Sequence, residues 1–286
     1  MSLIDTLNTG VSALTAFSTG LDVVGNDIAN VNTIGYKSSA ASFEDSFSNT
    51  LQNSAPATGT QSSTPSVQVG TGVQVAGITT NFSQGALNST GVATDLAISG
   101  NGFFIVQDPS SLTQYATRDG QFRIDANGYL VSQGGQRVQG YTSGTGTTVG
   151  SIQIGQNLPN GTSLQSVAID SSGNVVESYS NGTTATTGKV LLQNFGNTAG
   201  LENNGNNLYT GLAAAAPVGG GILSGGNTPS ANGLGSIQAG SLESSNVDLT
   251  QEFSDLITMQ RSFQAGARLI TVSDTVLDDV VNLKRS

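Results

Sequence analysis

The sequence predicts an α+β chain in which N- and C-terminal α-helices pair, in the manner of a coiled coil, around a central all-β domain. Three observations carry this. Leu7, Leu14, Leu21 and Ile28 recur every seven residues near the start. Leu249, Leu256, Phe263, Ile270 and Leu277 do the same near the end. Between them the apolar spacing falls to two, the period of a half-buried strand.

The first helix is predicted over 1–31. Leu3, Phe17, Val24 and Val31 flank its heptad stripe, and a helix turning once in about 3.6 residues gathers such positions on one side. Asn30, Asn32 and Gly35 then leave the helix, because these residues tolerate positive φ. Lys37 follows without the glycine spacing of a phosphate loop. Residues 40–51 read as a short helical or extended piece with Phe43 and Phe47 four apart, and 52–66, with Pro56 and Pro65, as an exposed, mobile segment.

From Val67 the pattern is strand-like. Gly100-Asn-Gly102 suggests a hairpin between 96–98 and 103–106. Asp119-Gly120, Asn127-Gly128 and Gly134-Gly135 suggest an antiparallel meander over 113–141, because such dipeptides suit two-residue hairpin turns. The Gly/Thr/Ser-rich stretch 142–165 is a loop or an edge. Another hairpin is expected around Gly173-Asn174, and a buried strand over 189–195. Residues 211–236, rich in Ala, Gly and Pro, are expected to form a loop with little to pack. The closing helix runs over 245–285, with Ser245 or Asn246 as cap and Asp248 and Glu252 in its first turns, where the helix dipole favours negative charge. Lys284 and Arg285 suit the other end. The expected division is 1–35 for the first helix, 36–240 for the β-rich body with 48–72 as an extended linker, and 241–286 for the last helix. The two seams either close on each other or pack separately on the body.

Composition narrows the function. The chain has 286 residues, a net charge of −10 and nine Lys and Arg. Phosphate neutralisation needs more cations than that, so no nucleic acid is expected as partner. No run approaches eighteen apolar residues, so no membrane insertion is expected. There is no basic n-region at the start, so a cleaved signal peptide is not expected. Cysteine, histidine and tryptophan are absent, which removes disulfides, thiol nucleophiles and His-based triads or metal sites. Asp108, Asp119, Asp125 and Asp170 sit beside turn residues and read as turn formers rather than acid–base catalysts. Tyr115, Tyr129 and Tyr141 read as packing residues, and Asp278-Asp279 as a solvated face. No catalytic residue, cofactor or metal ligand is expected.

Several segments resemble one family. The stretch 21–37 (LDVVGNDIANVNTIGYK) is similar to the N-terminal motif of the bacterial flagellar rod and hook proteins. Residues 95–104 (DLAISGNGFF) resemble their central motif, and 115–120 (YATRDG) the segment after it. Residues 242–252 (LESSNVDLTQE) and 260–263 (QRSF) resemble their C-terminal motif. The resemblance spans the chain in order. It implies that the terminal helices form the inner tube of a helical homopolymer, with the β-rich body outside. It implies export through the flagellar type III apparatus, and neighbouring rod, hook-cap and junction proteins as partners. The heptad residues named above would be the self-assembly seam.

The wording of both termini is closest to hook proteins, which bend as a universal joint. The distal rod protein, a stiff drive shaft, is the alternative. Location is accordingly the extracellular hook, or the periplasm-spanning basal body for a rod. Hook proteins carry a further outer domain, for which 142–150 would be the place, and 48–72 is expected to tune stiffness. A secreted adhesin and a carboxylate-based hydrolase are the competing classes.

Overall fold

The computed structural model describes residues 3–54, 56, 62–143, 148–156, 162–223 and 227–285. It divides into two compact units.

The first unit comprises 1–29, 39–81 and 248–286. Helix α1 spans Leu3–Ala29. Four strands follow: β1 (Ser39–Asp45), β2 (Ser48–Gln52), β3 (Val67–Gly70) and β4 (Val73–Thr80). The unit closes with α2, Leu249–Arg285. The helices lie antiparallel. Gly10 faces Ile270, Leu14 faces Gly266, and Gly20 faces Met259, so positions rise along one helix as they fall along the other. β1 pairs antiparallel with β4, and β2 with β3. Residues 48–52 and 67–70 are therefore paired strands within the segment 48–72 that the sequence suggested as an extended linker. Its alternating Val67 and Val69 find partners in Asn49 and Gln52. Residues 55 and 57–61 lie outside the described residues. Phe43 packs tilted against Phe17 of α1, ring centroids 5.7 Å apart, so β1 clusters with the helices.

The expected caps of α2 are corrected. Asp248 Oδ1 accepts the N–H groups of Thr250 and Gln251, at 2.8 and 3.4 Å. Asn246 is engaged elsewhere: its Oδ1 accepts the Ser38 N–H and its Nδ2 donates to the Ser83 carbonyl. Ser245 Oγ accepts the Val247 N–H, a local turn that leaves it outside the helix. The side chains of Lys284 and Arg285 lie outside the described residues.

The second unit comprises 30–38 and 82–247. Its strands are β5 (Leu87–Ser89), β6 (Leu96–Ser99), β7 (Phe103–Gln107), β8 (Gln114–Thr117), β9 (Arg123–Ile124), β10 (Leu130–Val131), β11 (Arg137–Tyr141) and β12 (Val149–Ser151). There follow β13 (Leu164–Ile169), β14 (Asn174–Tyr179), β15 (Thr184–Val190), β16 (Leu192–Gln193), β17 (Glu202–Asn203), β18 (Leu208–Thr210), β19 (Ser236–Ala239) and β20 (Ser241–Glu243). Among the described residues, twelve strands join in one sheet whose main path runs β13-β14-β15-β11-β7-β8-β18-β17.

Strand β7 organises the core. Its run of four apolar residues is buried on both faces. Phe104 and Val106 enter one apolar cluster with Leu130, Val138 and Ile152. Phe103 and Ile105 enter the other with Leu191, Phe195 and Tyr209. A strand with both faces covered reads as a continuous apolar run rather than an alternation.

Two pairings differ from the sequence expectation. β6 does not fold back on β7; it pairs with β19, far along the chain. Gly100 passes too close to Gly235 for a hairpin side chain, since a Cβ there would stand 3.0 Å from the Gly235 Cα. Asp119-Gly120 is no hairpin either, because β8 pairs with β7 and β18 while Gly120 offers its carbonyl to Leu96. The other two turns of the meander hold, joining β9 to β10 and β10 to β11. The stretch 211–236 packs more than expected: Leu212, Ala215, Leu223 and Leu234 are buried. Sparse apolar residues in a Gly-rich loop carry no period, so their burial leaves no trace in spacing. Of the stretch 142–165, Val149–Ser151 is strand and Ile152 and Ile154 are core, while 144–147 and 157–161 lie outside the described residues.

Candidate functional site

The predicted seam is distributed over the two helices. Leu7, Leu14, Leu21 and Ile28 are half-buried on α1, as are Leu256, Ile270 and Leu277 on α2. Leu249 and Phe263 are exposed. Small residues make the closest contacts. A Cβ on Gly10 would lie 2.9 Å from Ile270 Cγ1, and one on Gly20 would lie 3.2 Å from Met259 Sδ. Gly10, Ala16, Gly20, Gly266 and Ser273 are buried, where the heptad residues are not. Heptad spacing located the face but not these glycines, because glycine carries no hydrophobic signal of its own.

The pairing leaves much apolar surface open. Phe253 is 50% exposed and Val272 60%. Leu269, Val272 and Val276 fall on one stripe of α2, spaced three and four. Exposed apolar residues in such a row are a candidate interaction surface.

The second unit holds a buried ionic cluster that the sequence reading missed. Lys37 Nζ donates to Glu243 Oε1 at 2.6 Å and to the Ser83 carbonyl at 2.7 Å. Arg118 Nη1 donates to Glu243 Oε2 at 3.3 Å, and Nη2 to the Gly100 carbonyl at 3.1 Å. Glu243 Oε1 also accepts the Gly85 N–H. The Arg118 guanidinium lies 5.1 Å from the centre of the Phe103 ring, and its Nε has no partner.

Burial holds the Lys37 ammonium below its usual pKa, opposed by Glu243. Burial lowers Arg118 in the same way, again against Glu243. The neighbouring Tyr209 hydroxyl is pushed up to about 12 by burial. Gly35 brings Lys37 into place. At φ +67° it passes so close to Asp119 that a Cβ would meet the Asp119 N at 2.7 Å. Its N–H donates to the Glu243 carbonyl. One carboxylate thus ties together the chain leaving α1, the end of β8 and the approach to α2.

The carboxylates considered for catalysis are turn formers. Asp108, Asp119, Asp125 and Asp170 each accept the backbone N–H two residues on. A polar cleft of about 520 Å³ lies beside Asn30, Thr33, Asp119, Ser132 and Gln136. Asp119 is the one carboxylate among its lining residues; burial raises its pKa, and the charge of Asp95 adds to that rise. Among the described residues no group of three acidic, His or Cys side chains is placed to hold a metal. Tyr129 packs under the Arg137 guanidinium, 3.8 Å from the ring centre. Asp278 and Asp279 are exposed.

Comparison with known proteins adds the remaining facts. A family model described as flagella basal body rod protein matches residues 7–37. The flagellar hook protein FlgE/F/G D1 domain matches 97–177. The flagellar basal body rod FlgEFG protein C-terminal model matches 238–283. Lys37, Arg118 and Glu243 fall one in each stretch. The chain is 39% identical to the flagellar basal-body rod protein FlgG of Bacillus subtilis (strain 168), over 99% of this chain and 100% of that one. It is 49% identical to the flagellar hook protein FlgE of Helicobacter mustelae, over 49% of this chain and 31% of that one. Its alignment with the hook protein FlgE of Borreliella burgdorferi (strain ATCC 35210 / DSM 4680 / CIP 102532 / B31) is 26% identical over 445 positions, covering 97% and 99% of the two chains.

Proposed function

The chain belongs to the family of flagellar hook and basal-body rod proteins, and on that premise we propose that it serves as a rod subunit. As a family member it is a structural subunit of the flagellar axial structure. The observation that favours the rod is length. The rod relative is matched from end to end. The Borreliella hook alignment runs to 445 positions against 286 residues here, so at least 159 positions have no counterpart in this chain. The sequence expectation sets the hook first on the wording of the termini; the models that match both termini carry the basal body rod in their descriptions.

In this reading, copies stack helically through the exposed faces of α1 and α2, and the heptad seam residues contribute to contacts between copies. The subunit acts mechanically and catalyses nothing. It reaches its place through the flagellar type III apparatus, beside other rod, hook-cap and junction proteins.

Electron microscopy of basal bodies from a strain lacking the gene tests the assignment. A truncated rod is expected. A complete rod without a hook would make the protein a hook subunit instead.

A further inference from the structure

Strand β13 ends the large sheet. It pairs with β14 on one side, and among the described residues no strand lies on the other. Edge strands in soluble proteins are usually blocked by a lysine, a proline, a bulge or shortness. The opposite edge, β17, follows that rule with two residues, one of them Glu202. β13 does not. Its six residues carry no charge and no proline. Its one irregularity lies between Leu164 and Ser166 and leaves 166–169 in regular register. Ladder bonds alternate in an antiparallel pair. Counting back from the Asp170 N–H bond to the Asn174 carbonyl, the N–H groups of Val167 and Ile169 point away from β14. Ala168 beside them is exposed and small, so its side chain leaves room for a further strand.

The β2–β3 ribbon has the complementary character. Residues 46–72 contain no charged side chain, and the ribbon exposes Phe47 at 86% and Leu51 at 70%. Both strands are open on their outer sides among the described residues. Residues 142–169 are likewise uncharged. In a chain of net charge −10, these are surfaces that two copies can bring together without like-charge repulsion.

We infer that β13 is an acceptor edge for the β2–β3 ribbon of a second copy, which joins the large sheet by strand addition. The inference rests on the axial-subunit reading and names a contact within it. The two segments differ, so the contact is heterologous and propagates, whereas β13 against β13 would close as a two-fold dimer. The four residues of β3 match the four regular residues 166–169 of β13.

The cysteine-free chain allows a direct test. Gln68→Cys and Ala168→Cys are placed together in the full-length protein, which is polymerised, imaged and then oxidised. A ladder of covalent multimers is expected from the double variant and not from either single one. A ladder from Ala168→Cys alone would mean that β13 meets β13, and would overturn the inference. Polymers visible by electron microscopy with no ladder would also overturn it, while leaving the axial reading in place. Wild-type protein that forms no polymer would count against that reading itself. Separately, Ala168→Lys should raise the critical concentration for polymerisation roughly tenfold or more and leave monomer melting unchanged. An unchanged critical concentration would overturn the inference.

Discussion

Glu243 faces two cations with one carboxylate, all three buried. Attraction within such a group has to offset the cost of taking each charge out of water, and removing one partner leaves the others uncompensated. Glu243→Gln keeps an acceptor for the Gly85 N–H and removes only the charge. It is expected to lower stability by about 3–5 kcal/mol, read by urea denaturation of the full chain. A loss below 1 kcal/mol would show that the cluster is solvated. Tyr209 supplies a pH test. Its pKa is raised from 10.0 to about 12 in the folded state. The folded chain therefore holds a proton that the unfolded chain has given up. The stabilisation is complete below pH 10 and is lost as pH rises through about 12, a span worth on the order of 2–3 kcal/mol. Tyr209→Phe should remove that alkaline decline, as seen in melting curves between pH 9 and 12.

The helix pair depends on small residues at the contact. Gly20 stands where a Cβ would meet Phe43 Cζ at 3.0 Å and Met259 Sδ at 3.2 Å. Both are ends of flexible side chains, so alanine fits with slight adjustment and gains roughly 1 kcal/mol of helix propensity. Leucine cannot be accommodated without parting the helices. Gly20→Leu should cost about 1–3 kcal/mol in thermal unfolding, and Gly20→Ala should be neutral or stabilising. Equal effects from both would mean that the helices do not pack through this face. The ribbon is stabilised differently. It has few apolar contacts of its own, and its order comes from paired backbone groups.

For the whole molecule the question is which surface serves assembly. Leu256 is half-covered already, so a charge there would disturb the helix pair and the polymer together. Phe253 separates the two because half of it is exposed. Phe253→Asp is expected to change monomer stability by about 0.5 kcal/mol or less, the range for surface substitutions, while abolishing polymer in sedimentation and electron microscopy. Polymer formed at wild-type concentrations would exclude the exposed face of α2 as the contact.

Much of this protein was legible from periodicity. The two helices, the β-rich middle and the turn roles of Asp108, Asp119, Asp125 and Asp170 follow from local spacing and local backbone chemistry, which act within a few residues. The family followed from motifs that are contiguous in the chain. What sequence alone did not determine was any pairing between distant segments. β6 with β19, the Ser38 N–H that engages Asn246 away from the start of α2, and the meeting of Lys37, Arg118 and Glu243 each join groups set together only by the completed fold. The burial of Leu212, Leu223 and Leu234 belongs here too. Periodicity reports the side a residue faces; which residue it meets there depends on how the long-range pairs share the available backbone and charge partners, and that is decided only when the tertiary structure closes.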